Sequence, residues 1–529
     1  MAKKLKPTLV IAGPGAGKTH YIIEKVINRL PLLEHHRFLA VITYTNSATN
    51  EIKERLMEKT VIPPNIFIGT IHSFLVRFIL KPFGVVQGVL PEQVVYKDVS
   101  IKANDRKEEN IIKNNIVKKG VVPYEKIVSL SSNLLKENKK IRELISQRLQ
   151  FLFVDEFQDA NSGQFNIFEE IRKASATEMY FVGDPEQSIM TFQNQGGQIQ
   201  TLDKRPIYKV INSGTIDKEY LDSNNRSSLT IIDFINNFHT SITQQKTNED
   251  NNTNNKVTFI SDTYDLREII NSFNSLCNDR TMCENNPSTR FFLGYRRSTF
   301  RTVENEYGLV QKDDSDSNSI QLLRECSTFI CEILNKSRTS IMMELGIDDL
   351  AYRQLCFKIV ESIKSNPFIN SSEIISLLKT NFKCDPYKSV HKKVQHNPDH
   401  IAEGFINKIN LELQYFSSIK EIKDYHLTIH KSKGLQADAV LVIARSKNEL
   451  KKWLEVDKQL RFEDKQDTCR IGYVAFSRAK EFLCIACLEE IDDELKRNLT
   501  LLNVDMVPAM GERRSNQYEP YTRRYKFSK

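Results

Sequence analysis

A glycine-rich loop between an apolar run and an amphipathic segment constrains the fold of this 529-residue chain more than any other feature. The run TLVIA leads into AGPGAGKT, residues 12–19, and the segment YIIEKVINRL after it carries apolar residues at helical spacing. Glycines let backbone amides turn toward phosphate at a helix N-terminus, where the helix dipole favours negative charge. The sequence therefore predicts a strand, loop and helix that together hold a nucleotide by its phosphates.

Each residue type of this loop has a predicted role in binding ATP and Mg²⁺. The glycines free the backbone, Lys18 reaches the terminal phosphates and the Thr19 hydroxyl holds the metal ion. The predicted ATP-binding residues of the loop are Ala12, Gly13, Pro14, Gly15, Ala16, Gly17, Lys18 and Thr19.

Two more polar segments follow apolar runs later in the chain. Asp155 and Glu156 come directly after the apolar run FLFV, and Gln187 follows MYFV by a short loop. Asp155 suits the magnesium shell, and Glu156 suits a general base that polarises the attacking water. The Gln187 amide both donates and accepts, which suits contact with the γ-phosphate. An ordinary acidic loop is the alternative for the two acids taken alone.

Composition excludes several classes of protein. Charged residues make up 27% of the chain and no apolar run is long enough to span a bilayer, so we expect a cytoplasmic protein without a membrane partner. The odd count of nine cysteines argues against a disulfide framework, and Cys484 and Cys487 lie in an apolar run typical of a buried strand rather than a metal site. The net charge of +8 favours acidic partners such as nucleic acid.

Short apolar runs alternate with helical patterns along most of the sequence, which predicts an α/β fold with parallel sheets. The first set of runs lies within the first 190 residues, and a second set lies at 257–260, 290–293, 439–444 and 482–487. Two segments show helical periodicity without this alternation, at 85–145 and about 320–415, and we expect them to be inserted helical subdomains.

Eight motifs in order carry a resemblance to a known family. They are AGPGAGKT, TYTNSAT (43–49), GTIHSF (69–74), VDEFQD (154–159), GDPEQSI (183–189), LDSNNRSS (221–228), TIHKSKGLQAD (428–438) and YVAFSRAK (473–480). This order resembles the UvrD/Rep/PcrA family of superfamily 1 helicases over about residues 8–490.

The resemblance implies two RecA-like P-loop NTPase domains, each interrupted by a helical insertion. The expected boundaries are 1–84 and 146–218 for domain 1A, 85–145 for insertion 1B, 219–319 and 416–495 for domain 2A, 320–415 for a reduced insertion 2B, and 496–529 for a basic tail.

The resemblance also implies site residues from the second half of the chain. Arg226 and Arg478 are the expected arginine fingers, which stabilise charge that develops on the γ-phosphate. Gly434 and Gln436 are expected near the nucleotide. The residues expected along single-stranded DNA are Tyr44, Thr70, His72, Phe74, Phe192, Thr428 and His430. Core packing is the open alternative for Phe74 and Phe192.

Several positions depart from the family pattern. Asn225 stands where the family has a tyrosine that stacks on the base, and Gln436 replaces a glutamate near the sugar. Met190 and Gln193 replace a tyrosine and an arginine tied to DNA contact and coupling. These changes leave the hydrolytic residues in place and weaken the expectation of efficient unwinding.

Two functions follow as hypotheses. The first is an ATP-dependent translocase or helicase that moves 3′ to 5′ on single-stranded or forked DNA. The alternative is a nucleotide-gated sensor of DNA ends that regulates a nuclease with little processive unwinding. The compact size also resembles the helicase subunit of Gabija anti-phage systems, which implies an OLD-family nuclease as a partner.

Overall fold

The computed structural model describes the chain except for residues 1–5, 98, 100, 102–104, 191–200, 248–255, 280–286, 305, 308, 312–317, 337, 348, 367, 384, 390–396, 420–423 and 510–529. Contacts divide the chain into two compact units. One comprises residues 1–311 and 424–529, and the other comprises residues 312–423.

The first lobe, residues 6–221, is built on a six-stranded parallel sheet. Its strands and those of its insertion are β1 (Thr8–Ala12), β2 (Phe38–Thr43), β3 (Ile66–Thr70), β4 (Val95–Lys97), β5 (Val121–Pro123), β6 (Leu149–Val154), β7 (Glu178–Gly183) and β8 (Asp217–Leu221). Its helices are α1 (Lys18–Arg29), α2 (Asn46–Met57), α3 (Ile71–Leu75), α4 (Lys81–Phe83), α5 (Arg106–Lys118), α6 (Tyr124–Glu137), α7 (Lys139–Arg148), α8 (Ser162–Lys173) and α9 (Pro206–Ile211).

The strand order of this sheet explains where a ligand can bind. The order is β3-β2-β6-β7-β1-β8, and every neighbouring pair is parallel. Strands β6, β7 and β1 are therefore adjacent, and the loops that follow them leave the same edge of the sheet. Helices cover both faces, so the strands other than the polar edge strand β8 are mainly apolar and their side chains fill two core clusters.

The second lobe, residues 222–311 and 424–509, is built on a seven-stranded parallel sheet in the order β13-β14-β12-β15-β16-β11-β17. A separate parallel pair, β9 (Ser223–Asn224) and β10 (Gln245–Lys246), precedes it. The remaining strands are β11 (Thr258–Ser261), β12 (Arg290–Gly294), β13 (Val310–Gln311), β14 (Asp424–Thr428), β15 (Ala437–Ala444), β16 (Ala479–Cys487) and β17 (Asp505–Pro508). The helices of the lobe are α10 (Leu229–Asn236), α11 (Leu266–Asn278), α17 (Lys447–Trp453), α18 (Lys458–Glu463), α19 (Thr468–Phe476) and α20 (Asp493–Leu501), where the numbers α12–α16 belong to the second unit described next.

The unit at residues 312–423 is helical, as its periodicity predicts. Its helices are α12 (Asn318–Ile333), α13 (Arg338–Leu345), α14 (Asp349–Ser365), α15 (Ser371–Phe382) and α16 (Pro398–Ile419). They enclose a core of their own, in which the rings of Phe329 and Phe405 stack with centroids 4.0 Å apart.

These observations confirm the predicted α/β class with two parallel sheets, and they correct one expectation. The tail expected at 496–529 includes most of α20 and the edge strand β17, which pairs with β11, and residues 510–529 lie outside the described part of the chain. Cys484 and Cys487 lie in the buried strand β16, as predicted. Within the described residues, none of the helices has the length and apolar character needed to cross a bilayer.

A glycine sets the packing distance between α17 and α19. A Cβ on Gly472 would lie 2.5 Å from the Trp453 Cβ and 2.8 Å from its Cα, so part of this contact is backbone that cannot rotate away. Trp453 is fully buried at the end of α17. The close approach of the two helices therefore requires a residue without a side chain at position 472.

We predict that Gly472→Ala destabilises the second lobe by about 1–3 kcal/mol, because the added methyl overpacks this contact. The measurement is urea unfolding followed by fluorescence of Trp453, the single tryptophan of the chain. The matched control is Gly404→Ala in α16, where a Cβ meets nothing within 4 Å and helix propensity favours alanine. An unfolding midpoint for Gly472→Ala equal to that of the wild type would contradict the prediction.

Candidate functional site

The loop after β1 forms the base of the candidate site. Gly15 and Gly17 have φ values of 73° and 78°, in the left-handed region that glycine adopts without strain. Helix α1 begins at Lys18, whose ammonium Nζ lies 3.3 Å from the Ala12 carbonyl oxygen and 3.4 Å from that of Gly13. The strand, loop and helix predicted from AGPGAGKT are therefore present, with the amides of the loop at the N-terminus of α1.

Two acids follow β6 beside this loop. The Glu156 amide donates to Asp155 Oδ1 at 2.9 Å, and Glu156 has a φ of 49°, which turns its side chain out of the strand direction. Burial and the neighbouring Glu156 carboxylate raise the pKa of Asp155 to about 7. Burial also raises the pKa of Glu156, but Lys18, Lys433 and a hydrogen bond from Gln158 outweigh it and leave this pKa below its ordinary value. Near neutral pH Glu156 is therefore ionised, whereas Asp155 is only partly ionised.

Gln187 connects the two lobes. Its Nε2 donates to Asp184 Oδ2 at 2.8 Å, and its Oε1 accepts a hydrogen bond of 3.1 Å from Arg478 Nη2. Because Asp184 accepts at one end, the amide presents its oxygen to the arginine. A residue from the loop after β7 thus contacts the residue that precedes β16.

The two expected arginine fingers lie side by side in the second lobe. Arg478 is held by its Nε, which donates to the Val474 carbonyl at 2.9 Å, and Arg226 by its Nη1, which donates to the Ser477 carbonyl at 3.1 Å. Burial lowers the pKa of both guanidinium groups, and the charge of Arg226 lowers that of Arg478 further, while Glu156 opposes both shifts. The Arg226 Nε is buried and lacks a hydrogen-bond partner among the described residues. Two neighbouring cations with an unused donor favour an anion between the lobes.

Lys433, for which the sequence motifs predict no role, also belongs to the site. Its Nζ lies 2.6 Å from Asp159 Oδ2, donates to the Gln187 carbonyl at 2.9 Å and is 4.0 Å from Glu156 Oε2. Lys433 follows β14 in the second lobe, so this ion pair also crosses between the lobes. The available signal is the second lysine of HKSKG, which stands at the carboxyl end of a strand.

Gly434 and Gln436, the two expected nucleotide contacts after Lys433, lie on the surface. Both residues are exposed, and Gly434 has a φ of 81° with nothing within 4 Å of an added Cβ. Their predicted roles at the nucleotide remain predictions.

The structure corrects one residue of the expected DNA track. Phe74 is fully buried among Phe67 and Phe78, with ring centroids 6.0 and 5.1 Å away. A ring without exposed surface cannot stack on a base, so Phe74 is a core residue. Phe192, the other aromatic with a core-packing alternative, lies outside the described residues, as does Gln193.

The other expected DNA contacts lie at the carboxyl ends of strands in both lobes. Thr70 ends β3 and caps α3 by accepting a hydrogen bond of 3.4 Å from the Ser73 amide, and the half-buried His72 follows. Thr428 ends β14 and is followed by His430, whose pKa is lowered by burial. Tyr44 is half-buried near the acids, and its hydroxyl donates to Gln164 Oε1 at 3.3 Å.

Buried ion pairs join the lobes next to the site. Glu186, the residue before Gln187, accepts a hydrogen bond of 2.9 Å from Arg461 Nη2, and both side chains are fully buried. Arg205 Nη2 lies 2.7 Å from Asp467 Oδ1, again with both groups buried. Breaking such a pair is costly because each charge would remain without its partner in a poorly solvated place.

A glycine-rich phosphate loop, two acids after a neighbouring strand and two arginines facing them define the class of P-loop nucleoside triphosphatases. Comparison with known proteins agrees with this class: residues 1–193 match the family model described as AAA domain.

Individual relatives narrow the class further. The chain is 26% identical over 259 residues to ATP-dependent DNA helicase Rep of Buchnera aphidicola subsp. Acyrthosiphon pisum, covering 39% of this chain and 40% of the relative. It is 28% identical over 241 residues to Gabija protein GajB of Bacillus cereus strain VD045, covering 44% and 46%, and 23% identical over 277 residues to Rep of Escherichia coli K12, covering 43% and 40%. The matches span less than half the length of each of these relatives. They confirm the resemblance to UvrD/Rep-like helicases.

We predict that Asp155→Asn stabilises the nucleotide-free and metal-free protein at about pH 8, because asparagine mimics the protonated acid. The pKa of Asp155 is raised to about 7 in the folded state. The contribution of the protonated acid to the free energy of unfolding is therefore complete below the pKa of the unfolded state and is lost as pH rises through about 7. The advantage of the variant should therefore shrink as pH falls from about 7 toward about 4. Thermal unfolding across this pH range measures it.

The matched control for this prediction is Asp203→Asn, at an exposed acid. Its unfolding temperature should stay close to that of the wild type at every pH. An Asp155→Asn variant no more stable than the wild type at high pH would contradict the assigned burial of the charge.

Proposed function

We propose that this chain is an ATP-dependent translocase or helicase that moves 3′ to 5′ along single-stranded DNA. The observation that carries the proposal is the meeting of Arg226 and Arg478 from the second lobe with Lys18 and Glu156 from the first. The charges of Lys18 and Arg478 both act on Glu156, and Arg478 reaches Gln187 directly. A site shared in this way couples hydrolysis to the relative position of the lobes.

The residues present fit ATP with Mg²⁺. The backbone amides of Gly13 and of residues 15–19 and the Lys18 ammonium would hold the phosphates, and Thr19 with Asp155 would hold the metal ion. The unused Arg226 Nε fits an additional anionic oxygen. When bound, Mg²⁺ supplies charge neutralisation between phosphate oxygens.

The chain's own residues then account for hydrolysis. Glu156, kept ionised by Lys18 and Lys433, accepts the proton of the attacking water. Gln187 orients that water or the γ-phosphate through its amide. Arg226 and Arg478 stabilise the negative charge that develops on the transferred phosphoryl oxygens.

The proposed DNA track runs over the carboxyl ends of strands in both lobes. Thr70 and His72 lie on the first lobe, and Thr428 and His430 lie on the second. A strand that contacts both lobes would be moved as the cleft closes and opens. Contacts to backbone and base faces ignore sequence, which suits a motor that acts on any DNA.

A second function is favoured by the buried ion pairs between the lobes. Opening the cleft widely would separate Glu186 from Arg461 and Arg205 from Asp467, at a desolvation cost for each charge. Small lobe movements suit a nucleotide-gated sensor of DNA ends better than a processive motor. Similarity to Gabija protein GajB supports this alternative, in which the chain regulates a nuclease partner, for which we propose one of the OLD family.

We predict that Lys18→Ala, Glu156→Gln and Arg478→Ala each lower kcat for ATP hydrolysis stimulated by single-stranded DNA. Loss of a general base costs about 10²–10⁴-fold and loss of an arginine finger about 10³–10⁵-fold. Glu156→Gln should still bind ATP, because the phosphate loop is unchanged. Exposed Glu58→Gln and Arg497→Ala serve as controls with unchanged kcat. Failure of single-stranded DNA to stimulate the wild-type ATPase would refute the motor.

Strand displacement separates the two functions. We predict that the purified chain hydrolyses ATP on single-stranded and forked DNA and unwinds a forked duplex from the 3′-tailed side. ATPase activity that responds to DNA ends without displacement of a strand would support the sensor instead. A 5′-tailed fork is the matched substrate, and preferential unwinding of it would contradict the proposed polarity.

A further inference from the structure

Two side-chain amides from the second lobe contact one carbonyl of the phosphate loop. Asn224 Nδ2 and Gln244 Nε2 each donate to the Pro14 carbonyl oxygen at 3.0 Å. Both side chains are almost fully buried, and Asn224 Nδ2 also lies 3.2 Å from Gln244 Oε1. We call these two residues the amide clasp.

The clasp lies so close to the loop that positions 13 and 15 have no room for a side chain. A Cβ on Gly13 would lie 2.5 Å from Gln244 Cδ, and a Cβ on Gly15 would lie 2.5 Å from Asn224 Oδ1. The next carbonyl of the loop is also held from the second lobe, because the Asn225 amide donates to the Gly15 oxygen at 3.0 Å. Two successive loop carbonyls are thus fixed by the second lobe.

The clasp itself is held by its surroundings. The Gln244 amide donates to Asn236 Oδ1 at 2.8 Å, and Asn236 Nδ2 donates back to the Gln244 carbonyl at 2.9 Å. Asn224 Oδ1 accepts hydrogen bonds from the amides of Arg226 at 2.9 Å and Ser227 at 3.1 Å. The Asn224 side chain therefore connects the phosphate loop to the backbone that carries Arg226.

We propose that Asn224 and Gln244, on the segment that follows β8 and precedes the sheet of the second lobe, are positioning residues that set the phosphate-binding conformation of the loop. In a trans peptide the carbonyl and the following amide point in opposite directions. Holding the Pro14 carbonyl in the clasp therefore directs the Gly15 amide to the other side of the peptide, toward the space where the phosphates bind. The inference rests on the proposed ATP site for its kinetic readout.

The clasp makes nucleotide affinity depend on a preformed loop conformation. With both donors in place, the loop peptide is fixed before the phosphate arrives, so less conformational entropy is lost on binding. Without the donors, the Pro14 peptide is freer to rotate. By linkage, a bound nucleotide stabilises the clasp contacts by the same free energy.

The test uses substitutions that keep size and remove the donor. Gln244→Glu and Asn224→Asp place an acceptor against the Pro14 carbonyl, and Asn224→Asp retains an acceptor for the Arg226 and Ser227 amides. We expect each variant in the full-length chain to raise KM for ATP about ten-fold, with kcat within about two-fold of the wild type, because one buried hydrogen bond is lost. Gln245→Glu is the matched control, since its side chain is exposed one position away.

The outcomes are separable from those of the proposed function. Absence of DNA-stimulated ATPase in the wild type would refute the motor, and the clasp is then measured by the Kd of a fluorescent ADP analogue. Equal KM or Kd for Gln244→Glu and Gln245→Glu overturns the clasp, as does a lowered kcat with unchanged KM. Folding is checked by Trp453 fluorescence, and if Gln244→Glu does not fold, Gln244→Met is judged by the same criteria.

Discussion

The hydrogen bond from Arg478 to Gln187 is the contact on which the rest of the site depends. Asp184 of the first lobe accepts a hydrogen bond from the Gln187 amide nitrogen and so fixes the orientation of the amide. The Gln187 Oε1 then accepts a hydrogen bond of 3.1 Å from Arg478 Nη2 of the second lobe. Arg478 lies beside Arg226 in spite of their repulsion, because the Val474 and Leu435 carbonyls and this amide oxygen accept hydrogen bonds from it. Removing the amide would leave the buried Arg478 beside Arg226 with one hydrogen-bond acceptor fewer.

The charges around this contact favour a polyphosphate between the lobes. Four cationic side chains, Lys18, Arg226, Lys433 and Arg478, act on the same half-buried Glu156. The pKa of its neighbour Asp155 is raised to about 7, so that acid contributes less than a full negative charge near neutral pH. Lys433 is paired with Asp159, which leaves Lys18, Arg226 and Arg478 against Glu156 and a partly protonated Asp155. Among these five groups positive charge exceeds negative charge, in a place where burial strengthens electrostatic interactions. An anionic ligand reduces this imbalance, and its arrival favours the arrangement in which the lobes meet.

The sequence predicts the strands and the polar residues that follow them, because both depend on local pattern. The direction of individual side chains and their partners distant in the sequence depend on tertiary contacts. Apolar runs predict strands that are buried on both faces. Polar residues directly after such strands lie at the same edge of a parallel sheet. Phe74 also follows β3, yet its ring packs inward against Phe78. Its position on the helix determines this direction, and its position in the motif does not. The partners of Lys433 and Gln244 lie hundreds of residues earlier, and only the fold brings them together.

The departure from the family pattern at position 225 changes a side chain, whereas the contact that this position makes with the phosphate loop is through the backbone. Asn225 replaces a tyrosine, but its side chain is exposed and its contribution to the loop is a backbone amide that any residue except proline supplies. Its neighbour Asn224 is buried, and both ends of its side chain are used, one for Pro14 and the other for the Arg226 amide. Substitution at 225 therefore leaves the link between the phosphate loop and the Arg226 backbone intact, whereas substitution at 224 would break it. This link is made by a buried side-chain amide, so it does not depend on the stacking ring that the family has at position 225.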